Sequence, residues 1–397
     1  MTNILSGKWR ESTFITICAA RSGGMGITMD AKLFSDYQKE IADIILGLTS
    51  LYDKDCSNII LYGSAALNKL SYKKINDKYE FYSDIEFLVV PKDRKNENSK
   101  DFRKELINRS FDFLKGFSNL ETIPFVDVYP VSESFFSNGE LRISTFELKH
   151  NGKNLKGNDL LDLLPDVNKD NYNLKIQNVE IVKALKIMVL ESYNWFLCKD
   201  NYSEKEEYHF CYFLSSAFLN ILRTLLPIFG YFKLTTEERV NLISVLKKDL
   251  QITTYFPEYT LNQFEEVLKE KDGCHFYRNP RELFSLSFAG YKSLLCLLLN
   301  SNEDLLISEL KNNKNNIFSG TELKIEQLSL LTCFFISALS CIDNLINHNG
   351  ISDVDIERLT KFFDELIAGA NAYKLMNIIN KYGELERKRW KIIGSKD

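Results

Sequence analysis

Two short stretches of this chain combine residue types that can do chemistry. Ile59-Ile60-Leu61-Tyr62 is an apolar run ending in Gly63-Ser64. Further on, Tyr82-Ser83 leads into Asp84-Ile85-Glu86 at the head of a second apolar run, Phe87-Leu88-Val89-Val90. In a strand, successive side chains alternate faces, so Asp84 and Glu86 share one face while Ile85 and Phe87 point to the core. Neighbouring carboxylates repel unless a cation lies between them, and hard divalent cations such as Mg2+ take oxygen ligands. A Gly-Ser pair closing a strand suits a tight strand-to-helix turn, where free backbone N–H groups and the helix dipole favour phosphate. A third acid, Asp127, stands among apolar neighbours in Phe125-Val126-Asp127-Val128-Tyr129. A buried carboxylate of this kind needs a cation or base beside it. If the Asp127 strand lies next to the Asp84/Glu86 strand, the three acids converge on one site. Metal-assisted phosphoryl or nucleotidyl transfer needs such a cluster, and one acid can also take a proton from the attacking hydroxyl.

Each of these features has a plainer reading. Asp84 and Glu86 suit an exposed edge strand that carries charge against aggregation. Gly63-Ser64 alone suits a routine turn and helix cap, and Asp127 a salt-bridged structural acid. It is their joint occurrence that favours a metal-and-phosphate site. Tyr129, Arg142, Lys149 and Trp195 are candidate substrate contacts, each with packing or surface charge as the commoner alternative. Arg278-Asn279-Pro280-Arg281 is a local basic pair.

The elements that must position these residues follow from periodicity. Residues 31–52 keep a three-four apolar spacing that predicts an amphipathic helix. A strand is expected over Ile59–Tyr62, a helix from Ser64 to about Leu70, and a polar, lysine-rich loop over Ser71–Lys78. A strand over Phe81–Val90, a charged loop, and a helix over Phe102–Gly116 come next. Pro124–Pro130 reads as a strand bounded by prolines. Ile143–His150 and Lys153–Leu155 flank Asn151-Gly152, a hairpin signal. From about Gly157 the pattern turns helical, including Val179–Leu197, and Lys311–Gly320 is the best later break. The predicted fold class is α+β, a small mixed sheet followed by a mainly α-helical region. The expected division is a leader over 1–30, a first domain over 31–157, a helical acceptor-side domain over 158–310, and a C-terminal helical extension over 321–397.

Bulk properties narrow the class. At 397 residues, with 45% apolar and 26% charged residues, the chain is long enough for two ordinary globular domains. A formal net charge of -4 supplies no general attraction to nucleic acid. Eight cysteines (18, 56, 198, 211, 274, 296, 333 and 341) include no C-x-x-C pair and sit mostly among apolar residues, which reads as reduced thiols in a cytoplasmic protein. Four scattered histidines argue against a histidine-ligated metal. Phe14–Ala20 faintly resembles a signal peptide but has a minimal apolar core. The apolar runs Cys211–Phe232 and Leu328–Ile342 read as buried helices rather than membrane spans.

With these residues in view, the chain resembles the nucleotidyltransferases of the DNA polymerase beta superfamily, whose motif is Gly-Ser, an acid-x-acid strand and a third acid on a neighbouring strand. Here these are Gly63-Ser64, Asp84-Ile85-Glu86 and Asp127. Within the superfamily it looks most like the aminoglycoside enzymes. Tyr82-Ser83-Asp84-Ile85-Glu86 is similar to the corresponding string of the kanamycin nucleotidyltransferases, and Val126-Asp127-Val128 to their valine-glutamate-valine strand. Leu155-Lys156-Gly157…Leu164-Pro165 looks like the link into the helical domain of streptomycin/spectinomycin adenylyltransferases. Glu191 falls where kanamycin-type enzymes carry a second-domain glutamate base, though an ordinary helix-face acid is the stronger reading. The likeness covers roughly residues 55–170. Two features depart from it. The arginine-glycine that usually follows the serine is replaced by Ala65-Ala66-Leu67-Asn68, and Lys69–Asp77 lengthens the gap to Asp84. Lys69, Lys73 and Lys74 are candidate phosphate contacts in place of that arginine.

The resemblance implies an Mg2+-dependent enzyme that moves a nucleoside monophosphate from an NTP, with ATP the leading candidate, to a small hydroxylated acceptor such as an aminoglycoside-like compound. Gly63 and Ser64 would cradle the triphosphate, Asp84 and Glu86 would bind Mg2+, and Asp127 would share a metal or activate the acceptor hydroxyl. The helical region would supply the acceptor pocket. Neither membrane nor nucleic acid is an expected partner, and a homodimer is compatible with the chain. Two alternatives remain: a signalling oligonucleotide or cyclic-nucleotide synthase or a toxin acting on protein or tRNA, and a non-catalytic module that binds nucleotide or a partner.

Overall fold

The computed structural model describes residues 39–172 except 140, and 202–312 except 249 and 274, with scattered positions between 181 and 195 and between 332 and 343. The fold is α+β, with a small mixed sheet followed by a mostly helical region. Two compact units divide it. Among the described residues, one comprises those up to Asn138 together with Asn151–Leu164, and the other comprises Gly139–His150 and those from Pro165 onward, so the chain crosses between units three times within them. The leader over 1–30 lies outside the described residues, as does the C-terminal extension apart from positions between 332 and 343.

Helix α1, Lys39–Asp53, buries Ile41, Ile44, Ile45, Leu48 and Tyr52 along one stripe, the three-four spacing of a core-facing helix. The strands of the sheet are β1 (Cys56–Tyr62), β4 (Ile85–Pro91), β5 (Val126–Pro130) and β6 (Lys153–Lys156), in the spatial order β5-β4-β1-β6. β1 pairs antiparallel with β4 and β6, whereas β4 and β5 run parallel. Strand alternation then sorts the side chains. Ile59, Leu61, Ile85, Phe87, Val89, Val126 and Val128 join one apolar cluster with α1 and with Phe102 and Leu106 of the next long helix, Lys100–Leu114. The opposite set of positions is left to other work.

Several elements differ from the sequence-based expectation. The helix after Gly63 is only Gly63–Ala66, because the chain turns at Asn68, which holds a positive φ of 56°. The lysine-rich loop is a β-hairpin, β2 (Tyr72–Ile75) and β3 (Lys78–Phe81), joined by Asn76-Asp77. Both turn residues have positive φ, 49° and 62°, the geometry of a two-residue type I′ turn that Asn and Asp tolerate. The strand expected over Phe81–Val90 is broken at Tyr82–Asp84: the Tyr82 and Ser83 N–H groups donate back to the Ser71 carbonyl, and Ile85 N–H then donates to the Phe125 carbonyl, starting a new ladder. Finally, Ile143–Asn151 is a helix, not one arm of a hairpin, and Asn151-Gly152 punctuates the passage from helix to β6. The hairpin signal lost because Glu147, inside that segment, is bound by two arginines of the helical unit.

The helical unit is built around Glu204–Ile228 and Pro280–Leu299. Each starts with a reciprocal capping box, Ser203 with Glu206 and Asn279 with Glu282. Both are long and apolar enough to cross a membrane, yet 67% and 61% of their apolar windows are buried within the protein, as core helices require. Gly290 lets them approach closely, since a Cβ there would stand 2.5 Å from Ile221 Cδ1. The Phe218 and Phe264 rings stack at 4.2 Å in the same core. The described positions in the second apolar run, Thr332, Phe335, Ile336, Leu339 and Ile342, are also helical and buried.

Candidate active site

The sheet unit brings the motif residues of β1, β4 and β5 onto one face. Tyr62 pairs with Glu86 across the antiparallel β1–β4 ladder, and Glu86 pairs with Asp127 across the parallel β4–β5 ladder. Partners in register project to the same side, so Tyr62, Glu86 and Asp127 form a row across three strands, opposite the apolar cluster of Leu61, Phe87 and Val128. Asp84 lies just before β4, two residues from Glu86, and is half-buried. Tyr129, two residues beyond Asp127, shares its face.

Gly63 follows β1 at φ 69°, a left-handed conformation that glycine adopts without a steric penalty. The tip of the Glu86 carboxylate lies where a Cβ would stand, so a larger residue would require that side chain to move aside. This close approach puts the two motifs side by side. Ser64 lies within the single helical turn that follows and is half-buried.

Asp127 finds its cation within the protein. Arg103, on the helix Lys100–Leu114, donates from Nη2 to Asp127 Oδ1 at 2.5 Å. The Asp127 side chain is only 14% exposed, so an unneutralised carboxylate there would be costly. The guanidinium also lies over the Tyr129 ring, 3.9 Å from its centroid. β5 is an edge strand, which allows an arginine whose neighbours Phe102 and Leu106 pack on the core face to reach round to the other face. Burial lowers the Arg103 pKa, but the hydrogen bond and charge of Asp127 outweigh it and hold the group above its ordinary value. Burial, then Glu86, pushes the Tyr62 phenol far above its usual range, and burial, then Asp127, does the same at Tyr129. Both phenols are therefore neutral donors at any ordinary pH.

The lysines differ. Lys69 is exposed, just past the short helix, and Lys73 and Lys74 are adjacent on β2 of the hairpin, so their side chains point to opposite faces. Lys74 Nζ sits 3.6 Å from Asp77 and 5.4 Å from the Tyr79 ring centroid. In the helical unit, Lys149 pairs with Asp166 at 2.7 Å, and Trp195 stacks on Tyr202 at 3.4 Å and Phe210 at 4.7 Å. Arg142 and Glu191 are half-buried there, Glu191 on a helix. Arg278 is absorbed by Gln263, Glu266 and Glu270, while Asn279-Pro280 caps a helix.

A hard cation suits the donor chemistry of Asp84 and Glu86, and the Glu86 carboxylate lies beside the Gly63 backbone. Asp127 is a third carboxylate in register, but its Oδ1 is committed to Arg103. Among the described residues, no group of three or more His, Cys, Asp or Glu side chains is drawn together closely enough to hold a metal ion. A metal at this site would rest on Asp84 and Glu86 and would compete with Arg103 for Asp127. Sequence reasoning missed Arg103 because nothing in Phe102-Arg103-Lys104 distinguishes it from a surface cation. Comparison with family models, curated proteins and solved structures gave no match to this chain.

Proposed function

We propose that this protein is an Mg2+-dependent nucleotidyltransferase that moves a nucleoside monophosphate from an NTP, ATP foremost, to the hydroxyl of a small acceptor and releases pyrophosphate. The observation that carries the reading is the register Tyr62–Glu86–Asp127 across three strands, with the left-handed Gly63 beside the Glu86 carboxylate. Asp84 and Glu86 would hold the cation, with Asp127 as a further ligand, and the cation when bound would neutralise the triphosphate. Asp127 is also the candidate acceptor of the hydroxyl proton. The acceptor oxygen forms a bond to the α-phosphorus as the bond to pyrophosphate breaks, and the proton passes to the carboxylate. The backbone at Gly63-Ser64 would orient phosphate oxygens. The free, buried thiols Cys56, Cys211 and Cys296 suit a cytoplasmic setting.

The test is incubation of the full chain with the four labelled NTPs, Mg2+ and a panel of hydroxylated compounds, followed by mass spectrometry. Addition of a nucleoside monophosphate to one compound, lost in Asp84→Ala, is the expected result. Oligomers made from NTP alone would instead identify a signalling synthase. The Arg103–Asp127 ion pair favours a second reading, a module that binds nucleotide without turnover. NTP binding that ignores both Mg2+ and Asp84→Ala would support that alternative.

A further inference from the structure

Arg103 has features that a simple structural salt bridge does not need. Its bond to Asp127 uses one corner of the guanidinium, Nη2, while the buried Nε–H has no hydrogen-bond partner. An arginine fork has five donors and binds carboxylate best with two parallel bonds, so a buried donor left unmade is costly. The guanidinium carbon lies 3.9 Å from the Tyr129 ring centroid, so the ring helps to hold the group in place. The side chain is 35% exposed and Tyr129 37% exposed, so the group is reachable from solvent, whereas Asp127 beneath it is nearly buried. The backbone under Arg103 is anchored, because Phe102 and Leu106 pack in the core on either side. Between them these features give an anchored cation with an unmet Nε–H donor beside two in-register carboxylates, in a chain whose Gly63-Ser64 turn is followed by Ala65-Ala66-Leu67-Asn68 with no basic side chain.

We propose that Arg103 is a positioning residue of this site. It neutralises Asp127 while nucleotide is absent, and it passes to a phosphate oxygen when a metal-bound nucleoside triphosphate enters, so that Asp127 takes up the cation only with substrate present. The proposal rests on the nucleotidyltransferase reading. It explains how two neighbouring carboxylates are tolerated side by side without nucleotide. It also couples cation affinity to nucleotide, because one guanidinium cannot satisfy Asp127 and a phosphate at once.

Binding measurements on the full chain separate the proposal from the reading beneath it. Mn2+ alone and Mn2+-ATP are titrated by calorimetry and by electron paramagnetic resonance into wild type, Arg103→Gln, Arg103→Lys, Asp84→Ala and the double variant Arg103→Gln/Asp127→Asn. Removing the competing charge should tighten Mn2+ binding to Arg103→Gln by roughly five- to tenfold, the size of a partly buried ion pair. The same variant should bind Mn2+-ATP more weakly by a similar factor. Arg103→Lys, which keeps the charge and guards against a folding defect in the glutamine variant, should restore much of both effects. The Mn2+ gain should vanish in the double variant. If Arg103→Gln binds Mn2+ no better than wild type while Asp84→Ala loses Mn2+ binding, the site reading survives and the role given to Arg103 is wrong. If no protein binds Mn2+, the site reading fails and the proposal falls with it.

Discussion

Gly63 shows how one residue ties backbone conformation to chemistry. Gly63→Ala imposes a left-handed alanine, at about 1–2 kcal/mol, and drives the new methyl into the Glu86 carboxylate. We expect a loss of stability of that size by urea denaturation, together with weaker metal-dependent NTP binding. A stability loss with binding unchanged would separate Glu86 from the site. Glu147 presents the opposite case, a half-buried carboxylate whose role is structural. Burial alone would raise its pKa, but Arg223 and Arg239 reverse the effect and hold it below the ordinary range. A carboxylate depressed on folding contributes stability that is complete above its unfolded pKa of about 4.3 and is lost as pH falls through the lower folded value. Replacing it leaves two arginines short of a counter-charge, so Glu147→Gln should destabilise the helical unit by about 3 kcal/mol at pH 7. The deficit relative to wild type should shrink below pH 4, which thermal melting across pH 3–7 would reveal.

At the scale of the element, the hairpin β2–β3 and the helix pair Glu204–Ile228 and Pro280–Leu299 make separate predictions. Asp77 occupies a left-handed turn position while exposed to solvent, so Asp77→Gly should stabilise the sheet unit by about 0.5–1 kcal/mol, seen as a raised melting temperature. Gly290 is helical, and alanine there gains up to about 1 kcal/mol of intrinsic helix preference. Its methyl, however, would meet Ile221, which is fully buried. Close-packed interiors penalise such additions by about 1–3 kcal/mol. Gly290→Ala should therefore destabilise, and Ile221→Val in the same protein should recover most of the loss. A stabilised single variant would show that the two helices separate easily.

For the molecule as a whole, the three crossings between compact units among the described residues set how it can be cut. The helix Ile143–Asn151 leaves the sheet unit between β5 and β6, and nearly all of it belongs to the helical unit through His150. A fragment spanning 39–164 would keep that helix without the arginines that bind Glu147. It should therefore expose apolar surface, read as dye binding in excess of the intact chain, and lose structure around 139–150 first under limited proteolysis. A fragment as resistant as the intact protein would mean that this helix needs no partner.

The α+β class, the strands bearing Gly63-Ser64, Asp84/Glu86 and Asp127, and the apolar character of the long helices were legible in the chain itself. They rest on local alternation, three-four spacing and turn residues, which depend on neighbours in sequence. Even at this level Ile143–His150 went the other way, because Asn151-Gly152 carries no information about Arg223 and Arg239, which lie far along the chain. The pairing of Glu86 with Asp127 was a condition that only strand order could meet, and the cation on Asp127 came from a helix that reads as ordinary surface. Local periodicity is set within a few residues. Register, burial and counter-charge are set by segments that meet only when the chain is folded, and so the acids could be read in advance while the arginine that holds one of them could not.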